Sequence, residues 1–75
     1  MALEIKVIEV DGREIKVGES YYGGGGTLTT DTVDKIYYSN IRGVWQPMIQ
    51  LSGETFYFHY VKAEEFWTEY QPLED

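Results

Sequence analysis

The chain has one histidine, His59, set in the aromatic stretch ETFYFHYV that runs from Glu54 to Val61. Histidine is the side chain best placed to move protons near neutral pH. Nucleophilic catalysis around it requires a nucleophile and an orienting carboxylate within hydrogen-bond reach, and there is no cysteine to serve. His59 therefore reads as a surface histidine on a strand, and an enzyme is the least supported class of function. No catalytic residue is assigned.

Four consecutive glycines, Gly23, Gly24, Gly25 and Gly26, are the second place where chemistry could reside, because successive glycine N–H groups can form an anion-cradling nest. A phosphate loop needs a lysine and a helix directly afterwards. Here Thr27, Leu28 and Thr29 follow, and these favour a strand. The segment reads as a flexible connection, with a hinge or lid over a ligand as the functional alternative. In that alternative Gly23 to Thr27 close on a nucleotide-like or otherwise planar molecule held between tyrosines, with Arg13 or Arg42 supplying positive charge. Asp31 and Asp34 could join the tail acids around a cation, but no calcium-loop spacing is present, so they read as turn and strand-edge charges. No metal and no cofactor is expected.

The third candidate is a surface. Gln46, Met48, Tyr57 and His59, extended by Val44 and Val61, combine an aromatic and a methionine with glutamines, the composition of an interface core with a polar rim. Either this face docks on a partner, or the carboxyl-terminal helix covers it. In the second case Trp67 and the acids Glu64, Glu65 and Glu69 become the exposed recognition element.

The elements that would position these residues follow from periodicity. Val44 to Val61 reads as a β-hairpin with Ser52 and Gly53 as its loop, pairing Leu51 with Glu54, Ile49 with Phe56, Pro47 with Phe58 and Trp45 with Tyr60. One side then carries Trp45, Ile49, Leu51, Phe56, Phe58 and Tyr60, the core side. The other carries Gln46, Met48, Gln50, Thr55, Tyr57 and His59. Pro47 cannot donate to a ladder, which places it at an edge or bulge. A second hairpin joins Leu3–Val7 to Ile15–Val17 around Asp11 and Gly12; a three-residue loop from Val10 pairs Val7 with Ile15 and Ile5 with Val17. Thr32 to Tyr38 is a β-branched and aromatic run suited to a strand between the hairpins, and Asn40 to Gly43 is a break. Residues 63–71 read as a short helix stopped by Pro72, with Glu64 and Glu65 in its first turn and an acidic tail over 72–75.

At 75 residues the chain reads as one small domain spanning 1–75, near the size where a single core is only just sufficient. Without cysteine, stability must come from packing or oligomerisation. No segment approaches the apolar length needed to cross a bilayer and the amino terminus lacks a signal-peptide run, so the reading is soluble and cytoplasmic. The predicted class is mainly β with a short α element: a small SH3-like barrel or antiparallel β-roll of about five strands with a short carboxyl-terminal helix. The SH3-like likeness is a resemblance of architecture only, and such folds host many functions.

A formal net charge of −7 opposes direct binding to phosphate backbones and to anionic membranes, and favours basic protein surfaces. The leading expectation is a non-enzymatic acidic binding module that docks on a basic surface of a protein partner, as an inhibitor or regulator of a protein that handles nucleic acid, in the manner of a phage or mobile-element antagonist. Alternatives are the homo-oligomeric small-ligand binder described above and a structural subunit assembling through strand edges.

Overall fold

The computed structural model describes residues 3–23, 30–53 and 58–73. Within them the chain is mainly β: β1 (Leu3–Ile5), β2 (Val7–Val10), β3 (Arg13–Lys16), β4 (Ser20–Tyr22), β5 (Thr30–Ile41), β6 (Val44–Gly53), β7 (His59–Lys62), a 3-10 turn (Ala63–Glu65), α1 (Phe66–Glu69) and β8 (Gln71–Pro72).

The organising unit is the β5–β6 ribbon, paired antiparallel from Asp31↔Gly53 to Ile41↔Val44. Threonine, valine, isoleucine and tyrosine dominate β5, residues whose branched or aromatic side chains fit a pleated surface. Arg42 (φ 55) and Gly43 (φ 84) form the two-residue turn, a left-handed pair whose twist matches the flanking strands. The side chain of Asn40 accepts the Gly43 N–H at 2.9 Å and holds the turn. The tight hairpin thus lies at the place read as a break, while Ser52 and Gly53 are strand residues paired with Thr32 and Asp31.

That difference moves β7. Its pairs with β6 are Met48↔Lys62, Ile49↔Val61, Gln50↔Tyr60 and Leu51↔His59. Leu51 meets His59 and not Glu54, a displacement of five positions, and an odd displacement exchanges the two faces of a strand. Ile49, Leu51 and Val61 are buried, whereas Trp45 (58 %), Phe58 (58 %) and Tyr60 (54 %), expected in the core, are exposed. Continuous pairing of β5 through Gly53 and burial of Val61 beside Ile49 outweigh a tight Ser-Gly turn. Of the expected core residues, Phe56 lies outside the described residues.

The amino-terminal hairpin also differs from expectation. Its loop is Asp11 and Gly12, both at positive φ (54 and 79), with Val10↔Arg13, Ile8↔Ile15 and Val7↔Lys16 as pairs. Pairing Val7 with Ile15 and Ile5 with Val17 gathers the apolar residues on one face only if Leu3 to Val10 is one strand. A bend at Lys6 divides it, so that Ile5 packs from β1 and the alternation restarts with Ile8 and Val10 packed on the core. β1 and β4 lie end to end along one edge of β5, at Ile36–Tyr38 and Thr30–Thr32 respectively. The β2–β3 hairpin interrupts what would otherwise be a single strand. Gly18 N–H to Val33 O (2.9 Å) and Val33 N–H to Glu19 O (3.0 Å) bridge the gap.

The main sheet runs β7-β6-β5-β4-β8, with β1 on β5. Its ends, β7 and β8, do not pair, so among the described residues the sheet is not closed as a barrel. Pro47 sits in β6 just past the last β7 partner, Met48, where no ladder bond is asked of it.

The helix read over 63–71 is a 3-10 turn followed by four α residues. Tyr70 is already extended (φ −129, ψ 157), and Pro72 restricts Gln71 likewise, so Gln71 and Pro72 pair with β4 and do not begin a free tail. Phe66 and Tyr70 stack at 4.9 Å, Tyr21 meets Phe66 edge-on at 5.2 Å, and both join Ile15, Val33, Ile36, Ile49, Leu51 and Val61 in the core.

Candidate functional site

One question the sequence left open concerned which face the helix covers. Phe66 and Tyr70 pack on the face that carries Ile36, Ile49, Leu51 and Val61. The other face of the sheet has no covering element among the described residues. Strand pairing places on it the row Glu4, Tyr37, Met48 and Lys62, the row Lys35, Gln50 and Tyr60, and the pair Ser39 and Gln46. Val44 continues the face at the ribbon tip, and Phe58 lies exposed where the chain enters β7.

This open face has aromatic content and an unusual charge. Lys35 Nζ lies 5.2 Å from the Tyr37 ring centroid, a cation held over a π face. Partial burial pushes the Tyr37 phenol up from its ordinary range, and neighbouring Tyr60 adds to the shift. From Lys35 to Gly53 the chain has Lys35 and Arg42 and no acid, although the whole carries −7. On the face itself Lys35 and Lys62 stand against Glu4, so it is a weakly basic platform with Tyr37 and Tyr60 on an acidic molecule.

The surface expected from sequence is split by the corrected register. Gln46 and Met48 share the open face. His59 does not: it lies on the side of Leu51, its Nε2 3.1 Å from Glu69 Oε1 and its ring 6.0 Å from that of Tyr70. A carboxylate only accepts, so Nε2 carries the proton in this bond. Val61 is buried in the core, and Tyr57 lies outside the described residues. Glu64 and Glu65 are exposed on the 3-10 turn. Trp67 is half-buried and makes contacts within the fold. Its indole N–H donates to the Val10 carbonyl at 2.9 Å, its ring lies 4.9 Å from Phe66, and the Arg13 guanidinium sits 5.6 Å above it. It ties the β2–β3 hairpin to the helix.

The two aspartates take strand roles. Tyr70 Oη donates to Asp31 Oδ2 at 2.7 Å and Ser52 Oγ donates to Asp34 Oδ1 at 3.1 Å, the latter at the bulge between Val33 and Lys35. Gly53 is the residue that lets Asp31 lie there, since a Cβ at 53 would collide with the Asp31 carboxylate. Among the described residues no group of three His, Asp or Glu side chains is placed to hold a metal.

Nothing matched this chain among protein-family models, curated proteins or solved structures.

A groove of about 1050 Å³ opens on another side, between β3, β4 and β8, lined by Arg13, Lys16, Glu19, Tyr21, Trp67 and Leu73 among others. Arg13, one of two cations considered for a ligand, is here. Arg42, the other, is at the ribbon tip, and Gly23 does not line the groove. Gly24 to Thr27 lie outside the described residues. The described part of the expected ligand loop and its cations are thus not brought together. What sequence reasoning missed on the open face is Lys35, Tyr37, Tyr60 and Lys62. For Lys35 and Tyr37 the signal was present in their alternation with Ile36 along β5; Tyr60 and Lys62 depend on the β7 register.

Proposed function

We propose that this chain is a non-enzymatic binding module that docks on a protein partner through the open face of its sheet, with Tyr37, Met48 and Tyr60 at the centre of contact. The observation that carries this is that exposed Tyr60 and half-buried Tyr37 and Met48 share a sheet face that no described element covers. Tyrosine and methionine are enriched at interface centres.

The net charge of −7 selects the partner class. At distances beyond contact the molecule is an anion, and Glu64 and Glu65 add exposed charge beside the end of β7. Proteins with basic surfaces are steered toward it, those that handle nucleic acid among them. An inhibitor or regulator of such a protein is the reading we favour. Lys35 and Lys62 then orient the contact locally by meeting carboxylates at its rim.

Affinity capture from the native host at low and high salt, with wild type and Met48→Asp in parallel, tests this. Val7→Asp is the control: it adds the same charge at an exposed apolar position off the open face. The expected result is a basic protein retained by wild type and Val7→Asp, lost with Met48→Asp, and weakened by salt. Equal capture by all three chains would overturn the assignment of the face.

A further inference from the structure

The six-stranded sheet ends at β7, and the direction of its unused backbone groups can be worked out from the ribbon turn. Residues flanking a two-residue turn form a hydrogen-bonded pair, so Ile41 and Val44 point their N–H and C=O groups at each other. The alternation then directs Met48 and Gln50 toward β5, and Ile49 and Leu51 toward β7. On β7, Val61 and His59 answer Ile49 and Leu51. Tyr60 and Lys62 point their backbone groups outward from the sheet, and one step of alternation further Phe58 does so too. Among the described residues nothing is paired with this edge.

We propose that this edge pairs with β7 of a second copy, antiparallel about a twofold axis through Tyr60. A residue-centred twofold fits the direction of the free groups: Tyr60 exchanges both bonds with Tyr60 of the second copy, and Phe58 exchanges bonds with Lys62. The side chains are self-complementary in this register. Each Lys62 ammonium meets a Phe58 ring and not a second ammonium, so the one charge on the strand does not guard the edge against its own copy. The segment Phe58 to Ala63 contains no acid, so no carboxylate of the strand is brought against its counterpart. The open face becomes continuous across the pair.

Beyond the strand, two molecules of charge −7 repel. Added salt screens that repulsion, and the pairing tightens with ionic strength. Docking on a basic partner has the opposite salt dependence, so the two readings fail separately.

Sedimentation analysis of the full chain over a range of concentration and salt provides the test. Wild type is expected to double in mass as concentration rises, more readily at high salt. Tyr60→Pro removes an outward N–H that β6 does not use, and edge strands tolerate proline there; it is expected to stay folded by circular dichroism and to lose the dimer. Phe58→Lys, at an exposed position, sets lysine against Lys62 and is also expected to lose it, whereas Phe58→Lys with Lys62→Glu restores it. A wild type that stays monomeric throughout, leaving the edge to a strand of another protein, overturns the proposal. So does a dimer indifferent to Tyr60→Pro or not rescued by the charge exchange.

Discussion

Tyr70 is the residue on which the end of the core turns. Its ring stacks on Phe66 at 4.9 Å, its hydroxyl donates to Asp31 at 2.7 Å, and its backbone leaves the helix for β8. Burial pushes the phenol well above the ordinary value of 10.0, and the bond to Asp31 and the Asp31 charge push the same way. The folded state holds the proton more tightly than the unfolded chain does. That contribution is intact below pH 10.0 and is lost as pH rises beyond it, because only the unfolded chain then gains by ionising. Tyr70→Phe is expected to cost roughly 1–3 kcal/mol at neutral pH through the lost charge-assisted hydrogen bond. Its urea midpoint should also fall less steeply than that of wild type above pH 10.0. Parallel slopes for the two proteins would show that the Tyr70 proton is not held in the folded state.

At the scale of elements, Trp67 fastens the β2–β3 hairpin through a single indole bond to Val10 and through Arg13 above its ring. Trp67→Phe keeps an aromatic ring against Phe66 and removes the bond. The expected loss is about 1 kcal/mol, with faster amide exchange at Ile8, Val10 and Ile15 than at Ile36 or Ile49. Uniform acceleration across both sheets would show that the hairpin is not a separate unit. The existence of these elements was legible in the sequence. The β-branched run from Thr32 to Tyr38 reads as a strand, and Asp11-Gly12 as a turn, because each depends on neighbours along the chain. Register was not legible, because it depends on partners far away. Ser52 and Gly53 have turn composition yet are claimed by Thr32 and Asp31, and β7 pairs five positions later than a tight turn there would set, an odd shift that inverts its faces. Lys6 likewise gives no sign that a strand divides there.

At the scale of the molecule, a short helix can cover only one side of a twisted sheet. Phe66 and Tyr70 take the side of Ile49 and Leu51, and the side of Met48 and Tyr60 has no covering element among the described residues. The half of the candidate surface on β6, Gln46 and Met48, was readable from alternation; the half on β7 was not, since His59 and Tyr60 exchange sides with the register. The most direct measurement is hydroxyl-radical footprinting of the free protein and of its complex with the captured partner. Tyr37, Met48 and Tyr60 are expected to be oxidised in the free chain and protected in the complex, while Trp67 and Leu73 in the groove are unchanged. Protection at Trp67 and Leu73 with Met48 and Tyr60 labelled alike in both states would contradict the account.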